Sequence, residues 1–203
     1  MGRSRKGSKD RGRVSIDDEI IHYWSIVLTA FHTQAASSPY DLHLQIYPNG
    51  DQFQIMADYK VGLSLCQSVI FIRDYEAAIN FPGIKESKII SRSGNKVLVE
   101  RTVEDHILLI SIQMRSIVQY TETSDQVLNF EQISGDAKYY KGSWRLDPET
   151  DGTRFKFQAT IELSSIVPRP LAEYFITSQM TKRFEAMAEN ATQRLAQKQF
   201  SCK

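Results

Sequence analysis

Several familiar signatures are missing from this chain. Cysteine is scarce: only Cys66 and Cys202 occur in 203 residues, too few and too far apart for a local metal motif. The four histidines (His22, His32, His43 and His106) show no HxxxH spacing and there is no CxxC, so no metal site is expected. The G-x-S-x-G elbow, the Rossmann fingerprint and the GxxxxGK phosphate loop are all absent, which removes the commonest hydrolase, dinucleotide and nucleotide signatures. A charge excess is also missing. The formal net charge is +1, and a near-neutral chain lacks the phosphate-neutralising charge that gives nucleic-acid affinity, so no nucleic-acid partner is expected. Internal repeats and low-complexity stretches are absent too. The composition is that of a soluble globular domain, 41% hydrophobic and 24% charged, long enough for one sizeable core.

The small net charge hides an asymmetry at the start. Residues 1–35 hold six Lys/Arg against four Asp/Glu, a net +2, which leaves the remainder at −1. The basic stretch to Arg13 precedes an apolar run of 12 residues, Ile20–Phe31 (IIHYWSIVLTAF), and then HTQAASSP. This has the layout of a secretory signal peptide with cleavage after Ala35 or Ser37, and the run is too short for a spanning helix, which needs about 20 residues. Asp17-Asp18-Glu19 and His22 are irregular for such a segment, and the alternative is a disordered basic arm. Residues 1–36 are therefore read as signal or arm and 37–203 as the domain. Export to the periplasm or outside the cell is the expected location, with the cytoplasm as the alternative.

From Asp41 onward the pattern has period two. DLHLQIYPNGDQFQIMADYKV reads as a hairpin turning at Asn49-Gly50, with Phe53, Ile55, Ala57, Tyr59 and Val61 on one face. Ser64 is placed to cap a short helix, SLCQSVIFIRD. A second short helix, YEAAINF, stops at Pro82-Gly83. KIIS, KVLVERTV, a long strand from His106 to Thr121, VLNFEQI, YYKGSWRL and TRFKFQATIEL then follow with short turns, which implies an antiparallel meander. Alternation turns Met114, Phe130, Tyr140, Gly142, Trp144 and Phe157 to one face and Lys141, Arg145, Arg154 and Lys156 to the other. The final element, Pro170–Leu195, carries apolar residues at Leu171, Phe175, Met180, Phe184, Met187, Ala188, Ala191 and Leu195. That spacing predicts a long amphipathic helix that must be covered by the concave face of the sheet.

Catalysis finds little support. His106 reads as a solvated turn residue and His43 as exposed. Glu100-Arg101 reads as a pair bridging neighbouring strands at the surface, with one charge turned inward as the alternative, and Ser111 and Ser116 have no recognisable His/Asp partners. No catalytic residue and no cofactor are assigned.

The order strand, two short helices, meander and long helix is an α+β helix-grip arrangement. Three segments make a resemblance specific: RDYEAAINFPGIKES, GNKVLVERT and FEQISGDAKYYKGSWRLDP. They are similar to stretches of the polyketide cyclase/dehydrase and START-like lipid-transport family (the SRPBCC superfamily), which includes a coenzyme-Q-binding branch. The similarity covers about Phe53 to Leu195. Val69 and Ile72 depart from the aromatic and Leu usual in the first helix of that family.

The resemblance implies an apolar cavity between sheet and helix for a lipid, isoprenoid quinone or polyketide-like molecule. Tyr59, Met114, Phe130, Trp144, Phe157 and Phe175 are the expected ligand-binding residues, each also explicable as packed core. Two alternatives accompany binding or transport: a polyketide or aromatic cyclase or dehydratase, and an interaction protein with a filled core that acts through its surface. A monomer with transient membrane contact is expected. In a helix-grip fold the short helices support the end of the long one, which brings Cys66 and Cys202 within reach of a disulfide. Two unrelated thiols are the alternative.

Overall fold

The computed structural model describes residues 38–107, 110–163 and 169–202; the expectations for residues 1–36 lie outside these. Eight strands are present: β1 (His43–Asn49), β2 (Gln52–Val61), β3 (Ile84–Ser93), β4 (Lys96–Ile107), β5 (Ile110–Glu122), β6 (Val127–Gly135), β7 (Ala137–Glu149) and β8 (Gly152–Leu163). Helix α1 (Leu65–Ile72) and a 3-10 helix (Glu76–Asn80) connect β2 to β3, and α2 (Arg169–Ala196) ends the fold. All strands form one sheet in the order β1-β2-β8-β7-β6-β5-β4-β3, with every pairing antiparallel.

Local chemistry accounts for the joints. Gly50 takes φ 61° at the first hairpin turn, which costs glycine little. Ser64 starts α1 with a capping box: its Oγ accepts from Gln67 N at 3.4 Å, and Gln67 Oε1 accepts from Ser64 N at 2.9 Å, satisfying two otherwise unpaired donors. Register shifts interrupt the β3–β4, β5–β6 and β7–β8 ladders. Such bulges bend a strand and increase its twist, which curves the sheet around α2.

The chain differs from its sequence reading at one hairpin. The alternating run from His106 to Thr121 is not a single strand. β4 continues through Ile107 and β5 begins at Ile110, with His106 opposite Ser111. Between these strands the sequence reads Leu-Leu, with none of the Gly, Asn or Pro signals that usually betray a reversal. His106 is exposed, but within a strand rather than a turn.

The core lies between the concave face and α2. Phe53, Ile55, Ala57, Tyr59 and Val61 of β2, Val97 and Val99 of β4, Leu128 and Phe130 of β6, and Phe155, Phe157 and Ala159 of β8 are buried. Ala172, Ile176, Phe184, Ala188 and Ala191 supply the buried stripe of α2. Removing a side chain such as Phe184 from water stabilises by roughly 1.5–3 kcal/mol. Phe184 inserts among Tyr59, Trp144 and Phe157, with ring centroids at 6.1, 5.9 and 5.3 Å. The convex face is charged. Arg154 holds Glu149, Asp58 and Asp41 at 2.7, 2.7 and 2.9 Å, and Lys60 reaches Glu149 at 3.0 Å.

At the far end of α2, Cys66 of α1 and Cys202 are joined, with S–S 2.10 Å and Cα–Cα 6.1 Å. The returning tail packs Phe200 against the core beneath the Arg194 guanidinium, 5.0 Å from its ring centroid.

Candidate functional site: a cavity between sheet and helix

The sheet and α2 do not meet along their whole length. Toward the C-terminal end of α2, Ala188 and Ala191 are fully buried, and their small side chains let the helix backbone approach its neighbours closely. Phe184 then acts as a spacer. Beside it a partly open cavity of about 230 Å³ remains. Phe130, Trp144, Phe157 and Ile161 form its sheet wall, Ile176, Met180 and Met187 its helix wall, and Phe71, Ile72, Tyr75 and Phe81 of the short-helix segment its end. Cavities for drug-sized ligands run to about 300–1,000 Å³, so this one suits a smaller molecule or the leading part of a longer one.

Of the residues expected to bind ligand, Met114, Phe130, Trp144 and Phe157 border this space. Tyr59 does not: it is wholly buried, stacked on Phe155 at 5.2 Å and separated from the cavity by the Phe184 and Trp144 rings it contacts. Parity on β2 correctly turned it inward, but the spacer places it on the filled side. Its hydroxyl has no partner among the described residues, and burial pushes its ionisation far above the usual tyrosine range. The Phe175 side chain lies outside the described residues. Tyr174 beside it is exposed and Ile176 borders the cavity, so the wall there is built by Ile176.

Polar residues enter the wall at one side. Arg101, Asp105, Gln132, Tyr140 and Arg183 all border the cavity. Arg101 takes the inward alternative rather than bridging strands at the surface. It follows Val97 and Val99 in alternation and turns inward opposite Ser116, which also borders the cavity. Its Nη1 donates to the Tyr120 hydroxyl at 3.0 Å, and its Nε and Nη2 donate to Ser87 Oγ at 3.3 and 3.2 Å. Asp105, the next-but-one inward position, is buried and paired with Arg183. Arg183 also donates from Nε to Pro82 O at 2.9 Å. That ties α2, β4 and the loop after the 3-10 helix together at the cavity rim. Gly83 makes room for this tie. It has φ 77°, and a Cβ there would meet Asp105 Oδ1 and lie 2.6 Å from Arg183 Nη2. Burial pushes the Tyr140 hydroxyl's ionisation upward, as does neighbouring Tyr120, against the opposing pull of Arg101 and Arg183.

These polar residues had a signal for two of the three charged groups. The alternation Val97, Val99, Arg101, Val103, Asp105 runs straight through β4 and places both charges inside. Arg183 has none, since it neighbours Phe184 in sequence and reads as surface charge. His43 is exposed beside Asp58 at 3.4 Å, and Ser111 donates to Glu104 at 3.3 Å; neither approaches the cavity. Among the described residues no group of three or more His, Cys, Asp or Glu is arranged to hold a metal. No helix among them is long and apolar enough to cross a membrane.

An antiparallel sheet gripping one long helix, with a cavity between them, defines the helix-grip class. The chain belongs to the family described as "Polyketide cyclase / dehydrase and lipid transport", whose profile matches residues 71–188. It is 26% identical over 111 residues to a protein of Rickettsia prowazekii (strain Madrid E) named "Ribosome association toxin RatA", covering 53% of this chain and 76% of that protein. Two solved structures share the fold. A STAR-related lipid transfer protein from Xanthomonas axonopodis superposes with TM-score 0.62 at 13% identity, covering 74% of this chain and 92% of that one. An aromatase/cyclase, Zhui, from Streptomyces sp. R1128 superposes with TM-score 0.58 at 12% identity, covering 71% and 96%.

Proposed function

We propose that this protein binds and carries a hydrophobic small molecule, a lipid, isoprenoid quinone or polyketide-like compound, between the sheet and α2. The observation that carries this reading is the cavity of about 230 Å³ walled by Phe130, Trp144, Phe157, Ile176 and Met180. Its aromatic wall is rigid, while Met114, Met180 and Met187 are adaptable, a combination suited to ligands of varying shape. Membership of a family that includes lipid transport points the same way. Native mass spectrometry of the purified protein, before and after organic extraction, tests it. A small-molecule adduct removed by extraction is expected. The absence of both a native adduct and saturable quenching of tryptophan fluorescence by added hydrophobic ligands would refute it.

A cyclase or dehydratase reading draws on one observation, the Asp105–Arg183 pair in the cavity wall. Polar groups positioned against a bound polyketide are what acid–base assistance requires. Turnover of a poly-β-ketone thioester, lost in Asp105→Asn, would favour it over carriage. We also propose that the protein works in an oxidising compartment as a monomer that contacts membranes transiently. Support for the compartment comes from the Cys66–Cys202 bridge, whose cysteines are both exposed. Bridges of this kind persist outside the reducing cytosol. Sequencing the N-terminus of protein recovered from cell fractions tests the location.

A further inference from the structure

Among the described residues, Arg101 is the one charged group of the cavity wall that is turned inward yet has no carboxylate partner. Asp105 is taken by Arg183, and Asp74, at the short-helix end, by Arg194 at 3.0 Å. Arg115 also touches the cavity but is exposed. Arg101 forms no ion pair among the described residues, and its partners there are two neutral hydroxyls, Ser87 and Tyr120. Those contacts occupy three of the five N–H donors of a guanidinium, leaving two. Its neighbours offer further donors. The Tyr140 hydroxyl borders the same space and has no protein partner among the described residues, and Ser116 lies directly opposite Arg101. Arg101 is partly buried, and a cation drawn out of water without a counter-charge is costly unless something pairs with it. Fork geometry makes a carboxylate its best complement.

We propose that the ligand is an amphipathic monocarboxylic acid, its carboxylate held by Arg101 and Tyr140 and its apolar chain lying among Phe157, Trp144 and Met180. This rests on the cavity-binding reading and narrows it: a neutral quinone or hydrocarbon would leave Arg101 without a counter-charge. The size agrees, since a cavity of about 230 Å³ suits a medium-length chain better than a diacyl lipid.

The test is calorimetric titration of the full chain with decanoate and with decan-1-ol, at about pH 8, well above the carboxyl range. Decanoate is expected to bind at least about tenfold more tightly than decanol, which corresponds to about 1.4 kcal/mol. In Arg101→Gln that preference should fall to within about threefold of unity, and Tyr140→Phe should reduce it in part. Equal affinity of the two ligands for the unaltered protein, or a preference that survives in Arg101→Gln, overturns the proposal while leaving hydrophobic binding standing. Failure of both to bind overturns the carrier reading as well. The comparison in the unaltered protein decides the matter even if a variant fails to fold.

Discussion

Reduction of the Cys66–Cys202 bridge is a perturbation whose cost follows from the topology. The bridge closes a loop with a sequence separation of 136, nearly the whole described domain. In the chain-entropy treatment such a loop removes about 5 kcal/mol of unfolded-state freedom at 25 °C, and measured bridges commonly deliver about 2–5 kcal/mol. The cost has a native-state part as well. Without the bridge, the tail after α2 is held by Phe200 under Arg194 and by the helix-end bonds of Lys198 N to Leu195 O and Gln199 N to Arg194 O, both 3.0 Å. For a domain of about 150–250 residues, each kcal/mol shifts Tm by about 2–4 °C, so reduction should lower Tm by roughly 5–20 °C.

Scanning calorimetry with and without a phosphine reductant measures this shift, and a Cys66→Ser/Cys202→Ser double variant should reproduce it. The reduced unfolded chain is more expanded, so the urea m-value should rise. Ligand affinity should change less than about threefold, because neither Cys66 nor Cys202 lines the cavity. A Tm unchanged within about 2 °C, or two reactive thiols in the denatured, unreduced protein, would refute the reasoning.

Other perturbations address the cavity and the outer face. Gly83→Ala should destabilise by at least about 2 kcal/mol, combining the left-handed backbone penalty with a collision at the Asp105–Arg183 pair; chemical denaturation reads it, and a loss below about 0.5 kcal/mol would contradict the tight approach. Phe184→Ala should cost about 3–5 kcal/mol and join new space to the existing cavity, so longer-chain ligands should gain affinity relative to shorter ones; an unchanged chain-length preference would argue against Phe184 as the spacer. Acid should weaken the convex face. Arg154 holds the carboxyls of Asp41 and Glu149 below their ordinary values, and Lys60 does the same for Asp151. Groups depressed in the folded state add stability above the unfolded carboxylate range, about pH 4, and lose it as pH falls through their folded values. Thermal scans should therefore show Tm falling with acidification in that window, and Arg154→Gln should flatten the slope; an identical slope in the variant would remove these pairs as the cause.

Much of the architecture was legible because the signals were periodic. Alternation along β2, β6, β7 and β8 put the aromatic residues on one face, and they are buried there. The 3.6-residue period of α2 identified its Phe184–Ala188–Ala191 stripe, and the Ser64 cap was readable from residue type alone. Legibility failed where the deciding quantity was not periodic. The β4–β5 reversal has no turn residue to announce it. The exclusion of Tyr59 from the cavity depends on where a helix ring, Phe184, happens to stop, and parity says nothing about that. Arg101 stayed an open choice for a different reason: its alternation allowed an inward charge, but charged residues are ordinarily turned to water, and that prior favoured the surface bridge. A charge that keeps the inward phase of its strand is better read as a candidate for function than as an interruption of the pattern.

The same point bears on why this grip fold holds a cavity. A helix laid on a curved sheet closes where its residues are small, as at Ala188 and Ala191, and stays apart where a large ring props it, as at Phe184. On the open side, α2 is fixed to the sheet by Arg183, through Asp105 on β4 and the carbonyl of Pro82. The short-helix segment bearing Phe71, Tyr75 and Phe81 closes the end of the space. The Arg183 bond to Pro82 is an exposed contact between the loop after the 3-10 helix and α2, while Asp74 and Phe71 meet α2 at Arg194. The Asp105 bond, by contrast, is partly buried. On the carrier reading, the weaker joint is the one that has to open to admit a ligand, because local openings draw on the least buried contacts of a structure. Releasing the loop at Pro82 from Arg183 would widen the way into the cavity without unpairing the buried Asp105, so entry need not disturb the sheet or the Cys66–Cys202 bridge that holds α1 to the end of α2.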